Sequence, residues 1–100
     1  MKEKLFYKDF AVRELLEYDV IGSWDKFKKG EQVKLELIDG NVVVKTDTAN
    51  TLLGVLPSEE SKVIRMFLEM GHNVFAGTII CKNESASYSD MVRVAVYITK

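Results

Sequence analysis

The sequence predicts a small, mostly β domain with one main helix (α+β), and three observations carry this prediction. Six stretches are rich in β-branched or alternating apolar residues, and one stretch after Pro57 has helical periodicity. No repeat, low-complexity tract or linker divides the 100 residues. Short antiparallel strands with one inserted helix are typical of a small, highly curved sheet or barrel.

The composition and the net charge limit the kinds of partner that we expect this protein to bind. The chain is 47% hydrophobic, which suffices for a core, and its 14 basic residues face 15 acidic ones. Proteins that bind duplex DNA usually carry an excess of Lys and Arg, so we expect any nucleic-acid contact here to be local and weak. No apolar run reaches the ~18 residues of a membrane span, and the first residues lack a signal-peptide pattern. We therefore expect a cytoplasmic protein with no membrane partner.

Near the beginning of the chain, the sequence does not decide between a helix and a strand. We expect residues 1–9 to be an N-terminal tail and residues 10–100 to form a single domain. Residues 10–18 (FAVRELLEY) contain helix-favouring Leu and Glu behind Asp9, a capping residue type, but they show no clean apolar stripe. Periodicity alone favours helix and strand equally here. Residues 22–30 are predicted to be a loop with two apolar anchors, Trp24 and Phe27.

The remaining strands are clearer. Residues 31–37 alternate between apolar and polar, residues 41–46 contain a β-branched run, and Asp39-Gly40 between them predicts a type I′ hairpin turn. A short strand over residues 51–56 ends at Pro57. Residues 73–82 are nearly continuously apolar, and residues 91–98 alternate strictly.

A helix is predicted over residues 59–70, between the fourth and fifth strands. Ser58 would cap it, Glu59 and Glu60 would lie in its first turn, and Gly71 would end it in the left-handed conformation. Its apolar face must pack on the sheet. The predicted members of that face are Val63, Ile64, Phe67, Leu68 and Met70.

The sequence contains no residue pattern that is typical of a catalytic or metal-binding site. His72 follows the helix end and Cys81 lies in an apolar strand, so both favour structural roles. Glu59 and Glu60 are better explained by the helix dipole than by acid–base catalysis. There is no Gly-rich phosphate loop and no Cys/His cluster. We predict a protein that is not an enzyme and holds no metal or cofactor.

Two features of the sequence are compatible with binding to single-stranded nucleic acid. The one basic cluster is Lys26, Lys28 and Lys29, which is either a solvated turn or a phosphate site. Several aromatic residues are less obviously buried, and they would either stack on bases or cap the edge of the core. These aromatic residues are Tyr18, Trp24, Tyr88 and Tyr97.

Motifs in a shared order make residues 10–98 resemble the HIRAN domain family, including its stand-alone bacterial members. In chain order they are FAV leading to YD (10–19), FKKG leading to VKL (27–35), LGVLP (53–57), GH followed by VFA (71–76), and NE followed by an alternating strand (83–98). The resemblance implies a six-stranded antiparallel barrel, OB-like or SH3-like, with residues 10–18 as its first strand.

The same resemblance implies a function, which is to grip the free 3′ end of single-stranded DNA and guide a larger DNA-processing protein. Tyr18 would stack on a base, Asp19 or Asp39 would accept a hydrogen bond from a sugar hydroxyl, and Tyr88 would lie beside the DNA end. Phosphates would be held by Lys26, Lys28 and Lys29.

Three departures from the family pattern leave an alternative function open. A tight hairpin around Asp39 replaces the family's N-P-Y-D-x-N-A segment, which supplies part of the DNA pocket. Arg13 or Glu14 replaces a glycine of the first strand, and Glu17 replaces one aromatic residue of its pair. The alternative is a protein-interaction or accessory domain that kept the fold and lost the DNA pocket.

Overall fold

In the computed structural model, residues 4–14, 24–47, 51–83 and 91–99 are described, and they form one antiparallel six-stranded sheet with one α-helix. The strand order across the sheet is β1-β6-β5-β2-β3-β4. The elements are β1 (Lys4–Ala11), a 3₁₀ turn (Trp24–Lys26), β2 (Gln32–Ile38), β3 (Asn41–Thr46), β4 (Leu52–Val55), α1 (Lys62–Glu69), β5 (Phe75–Lys82) and β6 (Val92–Thr99). The predicted mostly β fold, with its helix between the fourth and fifth strands, is confirmed.

The β2–β3 hairpin has the predicted turn. Asp39 and Gly40 have φ values of 51° and 81°, as both central residues of a type I′ turn require. The register places Ile38 opposite Asn41 and Leu35 opposite Val44. Because side chains alternate along a strand, this register puts the apolar positions of both strands on the core face.

The first strand differs from its prediction. β1 begins at Lys4, so residues 4–9 belong to the sheet and not to an N-terminal tail. It pairs with β6 from Lys4 opposite Thr99 to Ala11 opposite Arg93, with an irregularity between Phe6 and Lys8. This pairing was not visible in residues 4–9 alone, because a strand partner at the far end of the chain supplies it. Residues 15–18 of the predicted strand lie outside the described residues.

The two edges of the sheet meet at one point. Arg13 and Val55 form an isolated antiparallel bridge, with hydrogen bonds of 2.7 Å from Arg13 N to Val55 O and 3.0 Å from Val55 N to Arg13 O. Beyond this bridge β1 and β4 form no ladder with each other, so the described sheet is strongly curved without being closed by continuous pairing.

Gly54 makes this approach of the two edges possible. A Cβ atom at position 54 would overlap the backbone oxygen of Arg13 and press on the Val12 side chain, and Gly54 has a φ of 157°. Only a residue without a side chain fits between the two backbones at this point. The sequence LGVLP thus contains the residue that lets β4 meet the extension of β1.

One apolar cluster fills the inside of the curved sheet. It combines side chains from all six strands, the loop before β2 and the helix. Fully buried members include Phe10, Phe27, Leu35, Ile64 and Ile79. Burying each such side chain contributes roughly 1.5–3 kcal/mol to stability, which identifies this cluster as the main source of the fold's stability.

The helix begins later than predicted. Its N-cap is Ser61 and not Ser58, and the Ser61 hydroxyl donates to the Pro57 carbonyl at 2.7 Å in place of a capping bond. Glu59 and Glu60 therefore lie in the turn before α1, where they pair with Lys62 at 3.2 Å and Lys8 at 3.8 Å. No helix in the described ranges is long and apolar enough to cross a membrane.

The helix ends as predicted at Gly71. Gly71 has a φ of 84°, its N–H donates to Leu68 O at 3.1 Å, and the N–H of His72 donates to Phe67 O at 2.8 Å. These two bonds are the paired bonds of a Schellman motif, which satisfies the last helical carbonyls.

The predicted apolar face of the helix is only partly buried. Ile64 is buried and Leu68 packs against the core, but Val63, Phe67 and Met70 are more than a third exposed. The prediction that all five residues pack on the sheet is wrong. The helix lies on the sheet along the Ile64–Leu68 edge, which leaves an adjacent apolar stripe in solvent.

We predict that Gly54→Ala lowers the free energy of unfolding by about 3 kcal/mol, because the new methyl group displaces the Arg13 backbone. Chemical denaturation measures the loss. Gly71→Ala is the matched control, since a Cβ there meets nothing within 4 Å and adds only the cost of the left-handed conformation, about 1 kcal/mol. Equal losses in the two variants would contradict the close approach of Gly54 to Arg13.

Candidate nucleic-acid interface

The segment from residue 24 to residue 31, here called the lysine loop, is fixed by two aromatic residues. The 3₁₀ turn Trp24–Lys26 leads into Phe27, which is 2% exposed in the core. Trp24 is half-buried and meets Phe27 edge to face, with ring centroids 5.5 Å apart. Both predicted anchors therefore hold the loop against the domain.

A lysine at the end of β5 also holds the lysine loop in place. The ammonium group of Lys82 donates to the Phe27 carbonyl at 2.7 Å. It also lies 5.0 Å from the Trp24 ring centroid and 4.8 Å from that of Phe27. A cation at these distances is attracted by the aromatic rings, and its hydrogen bond satisfies a loop carbonyl.

Backbone hydrogen bonds join the other end of the loop to β5. Gly30 N donates to Ile79 O at 2.7 Å, and Ile79 N donates to Glu31 O at 2.9 Å. Within the loop, Lys28 N donates to a Glu31 carboxylate oxygen at 3.3 Å. The loop is thus a defined surface attached to the sheet at both ends.

The exposed side of this loop is cationic. Lys26, Lys28 and Lys29 are all exposed, as the sequence predicted for a loop. A shallow cavity of about 260 Å³ lies beside two of them, lined by Asp25, Lys26, Phe27, Lys28 and Glu31. The loop contains three lysines and two carboxylates, and Lys82 contacts it as a fourth cation, so the loop is a local basic site on a chain with a net charge of −1.

The structure does not bring Asp39 to this site. Asp39 is exposed in the β2–β3 turn, whereas the lysine loop precedes the first residue of β2. The six residue steps from Gln32 to Ile38 span about 20 Å at ~3.3 Å per residue. A sugar hydroxyl held by Asp39 would lie at the opposite end of β2 from a phosphate held by the lysines.

Three further predicted site residues, Tyr18, Asp19 and Tyr88, lie outside the described residues. The other aromatic candidate, Tyr97, is half-buried on β6 and packs edge to face against Phe6 at 5.7 Å. It lies on the outer surface of the sheet, two strands away from β2 in the strand order.

Sequence reasoning missed Lys82. It stands 55 residues after Phe27 in the chain, and only the antiparallel pairing of β2 with β5 brings the two together. No local motif marks it. A basic residue at the end of an otherwise apolar strand was the sole signal, and that pattern is common in strands that reach the surface.

The other described features do not form a chemical site. A second cavity of about 290 Å³ lies between the end of α1 and β2, where the Asn73 amide donates to Leu35 O at 3.3 Å. Among the described residues, no group of three or more His, Cys, Asp or Glu side chains is placed to hold a metal ion.

Comparison with known proteins adds no relative. No family model matches the chain, no curated protein matches it, and no solved structure matches it. The resemblance to the HIRAN family therefore depends on the sequence motifs alone.

We predict that Lys82→Met loosens the lysine loop by about 1–2 kcal/mol, because it removes a charged hydrogen bond and the cation above two rings. Faster hydrogen exchange at the Gly30 amide and a shifted emission of Trp24, the only tryptophan of the chain, would report this change. Lys34→Met on β2 is the control. Unchanged exchange and emission in the Lys82 variant would show that the ammonium group does not hold the loop.

Proposed function

We propose that the protein binds single-stranded nucleic acid weakly through the lysine loop. The single observation that carries this proposal is the display of Lys26, Lys28 and Lys29 on a loop that Phe27 and Lys82 fix to the sheet. A loop held in place loses little conformational entropy when it binds, so each lysine–phosphate contact contributes more to affinity.

The chemistry of the site favours a flexible strand over a duplex. The lysines provide point charges for phosphates and no planar group for reading base edges. Trp24, which is half-buried, offers some apolar surface within the same loop. Such a combination suits sequence-independent contacts to a single strand, in which backbone charge and base stacking supply the affinity.

The HIRAN-like motifs support the same proposal from the sequence. In that interpretation the domain acts in the cytoplasm as a DNA-end module beside a larger DNA-processing protein. The lysine loop then provides the phosphate contacts, and Asp39 has no part in that site. Tyr18, Asp19 and Tyr88 remain candidates for the base and for the 3′ end.

We predict that a fluorescent oligothymidine binds the protein with a dissociation constant in the range of about 10⁻⁵–10⁻⁴ M at low salt. Replacing Lys26, Lys28 and Lys29 together by Gln should weaken binding at least tenfold. Three lost contacts should also flatten the dependence of log K on log salt concentration by about 2, at ~0.7 per phosphate on single strands. Fluorescence anisotropy measures both quantities.

The matched control replaces Lys4, Lys8 and Lys34 by Gln, which changes the net charge equally but leaves the loop intact. Equal weakening by the two triple variants would reveal only a general charge effect. Absence of binding at several hundred micromolar protein in low salt would refute the proposed function itself.

A second candidate function, protein association, is favoured by a different observation. Val63, Met66 and Phe67 of α1 and Met70 at its C-cap are exposed apolar residues at helical spacing on one flank of the helix. Contiguous apolar surface of this kind marks an interaction site more often than scattered exposed residues do. This function corresponds to the accessory-domain alternative and does not require nucleic acid.

A further inference from the structure

The exposed flank of α1 has the pattern of a helix that packs against another helix. Val63, Met66, Phe67 and Met70, here called the helix stripe, are 45%, 57%, 39% and 64% exposed. They stand at positions i, i+3, i+4 and i+7, which share one side of an α-helix. The helix contacts the core mainly through Ile64 and Leu68, and Phe67 at the border of the stripe touches Phe75, so most of the stripe surface stays in solvent.

Apolar surface continues from the stripe onto the sheet. The Phe67 ring packs edge to face on Phe75, with centroids 5.9 Å apart. Phe75 is opposite Ile98, and Ile98 is opposite Leu5 on the edge strand β1. Residues directly opposite each other point to the same side of a sheet, so Leu5, which is 49% exposed, extends the apolar surface beside the helix.

The charges beside the stripe are self-complementary. Lys62 and Glu69 are seven residues apart, which places them on the same flank of α1 at its two ends. Each has a partner within the chain, since Lys62 lies 3.2 Å from Glu59 and Arg65 lies 3.8 Å from Glu69. When two such helices run antiparallel about a two-fold axis, Lys62 of each copy faces Glu69 of the other.

We propose that the helix stripe docks on the helix stripe of a second copy of this chain, with the two helices antiparallel. This inference names the partner for the second candidate function and is independent of nucleic-acid binding. A two-fold contact requires a surface that complements itself, and both the apolar stripe and the Lys62–Glu69 arrangement meet that requirement.

Other occupants fit the stripe less well. A helix that binds an anionic membrane surface carries Lys and Arg on its polar side, whereas here Glu59, Glu60 and Glu69 offset Lys62 and Arg65. A strongly charged peptide would find no matching excess of charge for the same reason. An apolar stripe flanked by both positive and negative side chains is best matched by the same stripe on a second copy of the chain.

The proposed contact leaves the lysine loop accessible. Phe75, which supports the stripe, begins β5, and Lys82, which holds the loop, ends it. Seven residue steps along the strand separate them by about 23 Å. Variants in the stripe therefore test self-association without touching the loop.

Sedimentation equilibrium of the full chain from about 10 µM to 1 mM tests the proposal. We expect the mass to rise with concentration from 11.4 kDa towards twice that value. The stripe is small compared with standard interfaces, so the dimer should dissociate at micromolar to high micromolar concentrations. Met66→Glu should raise the dissociation constant at least tenfold and leave the thermal midpoint nearly unchanged, because Met66 is largely exposed.

Charge exchange tests the antiparallel arrangement separately. Lys62→Glu should weaken the dimer because it places like charges opposite each other, and the double change Lys62→Glu with Glu69→Lys should restore it. Lys34→Glu on β2, which makes the same charge change, is the control and should leave the dimer unaffected.

Three outcomes would overturn the inference. The first is a monomer at 1 mM, the second is a dimer that Met66→Glu does not weaken, and the third is a double exchange that fails to restore what Lys62→Glu removes. Self-association is measured by sedimentation without nucleic acid, and binding of one lysine loop is measured by anisotropy with an oligothymidine too short to span two loops, so the two failures are distinguishable.

Discussion

The bridge between Arg13 and Val55 is the constraint on which the rest of the molecule depends. A domain of 100 residues must curve its one sheet strongly in order to enclose a core, and the curvature brings the two edges together. The backbones approach so closely there that position 54 tolerates no Cβ atom. The bridge also satisfies backbone groups on both edge strands, which would otherwise invite pairing with another chain.

Strand β5 contacts both candidate surfaces, the helix at one position and the lysine loop at others. Its first residue, Phe75, contacts Phe67 of α1, whereas Ile79 in the middle of the strand and Lys82 at its end hold the lysine loop. The strand is paired with β6 along most of its length and with β2 at Gly77 and Thr78. The two candidate surfaces therefore contact the same strand, the helix stripe at Phe75 and the lysine loop from Ile79 to Lys82.

Local sequence patterns predicted most of the fold because the decisive signals are local. Alternation in residues 31–37 and 91–98, the Asp39-Gly40 turn and the Gly71 helix end each depend on a few neighbouring residues, and each was found where expected. The start of β1 at Lys4 and the Lys82 contact depend on partners far along the chain, which periodicity does not report. The helix itself was predicted correctly, but the prediction of its buried face was wrong, because helical spacing identifies an apolar stripe but not whether the protein itself covers it.

The candidate site likewise combines features that local sequence predicts with contacts between residues far apart in the chain. The lysine cluster was identified from adjacent residues, and its exposure agrees with a loop. Asp39 was predicted as one candidate for the sugar hydroxyl beside these lysines, and the length of β2 separates the two positions. What makes the loop a defined surface is the pair of aromatic anchors and the lysine above them, and those contacts exist only in three dimensions.

The two proposed surfaces together account for how a nearly neutral chain could hold nucleic acid. Three lysines on one loop give only a weak phosphate contact, and the acidic residues elsewhere oppose rather than assist it. A two-fold dimer through α1 would present two such loops on one particle. The second loop then meets the same strand at a high effective concentration, which raises the overall affinity by orders of magnitude when the strand is long enough to reach both. If both proposals hold, a strand too short to span the two loops gains nothing from the dimer, and the dimer would select strands by length and not by base sequence.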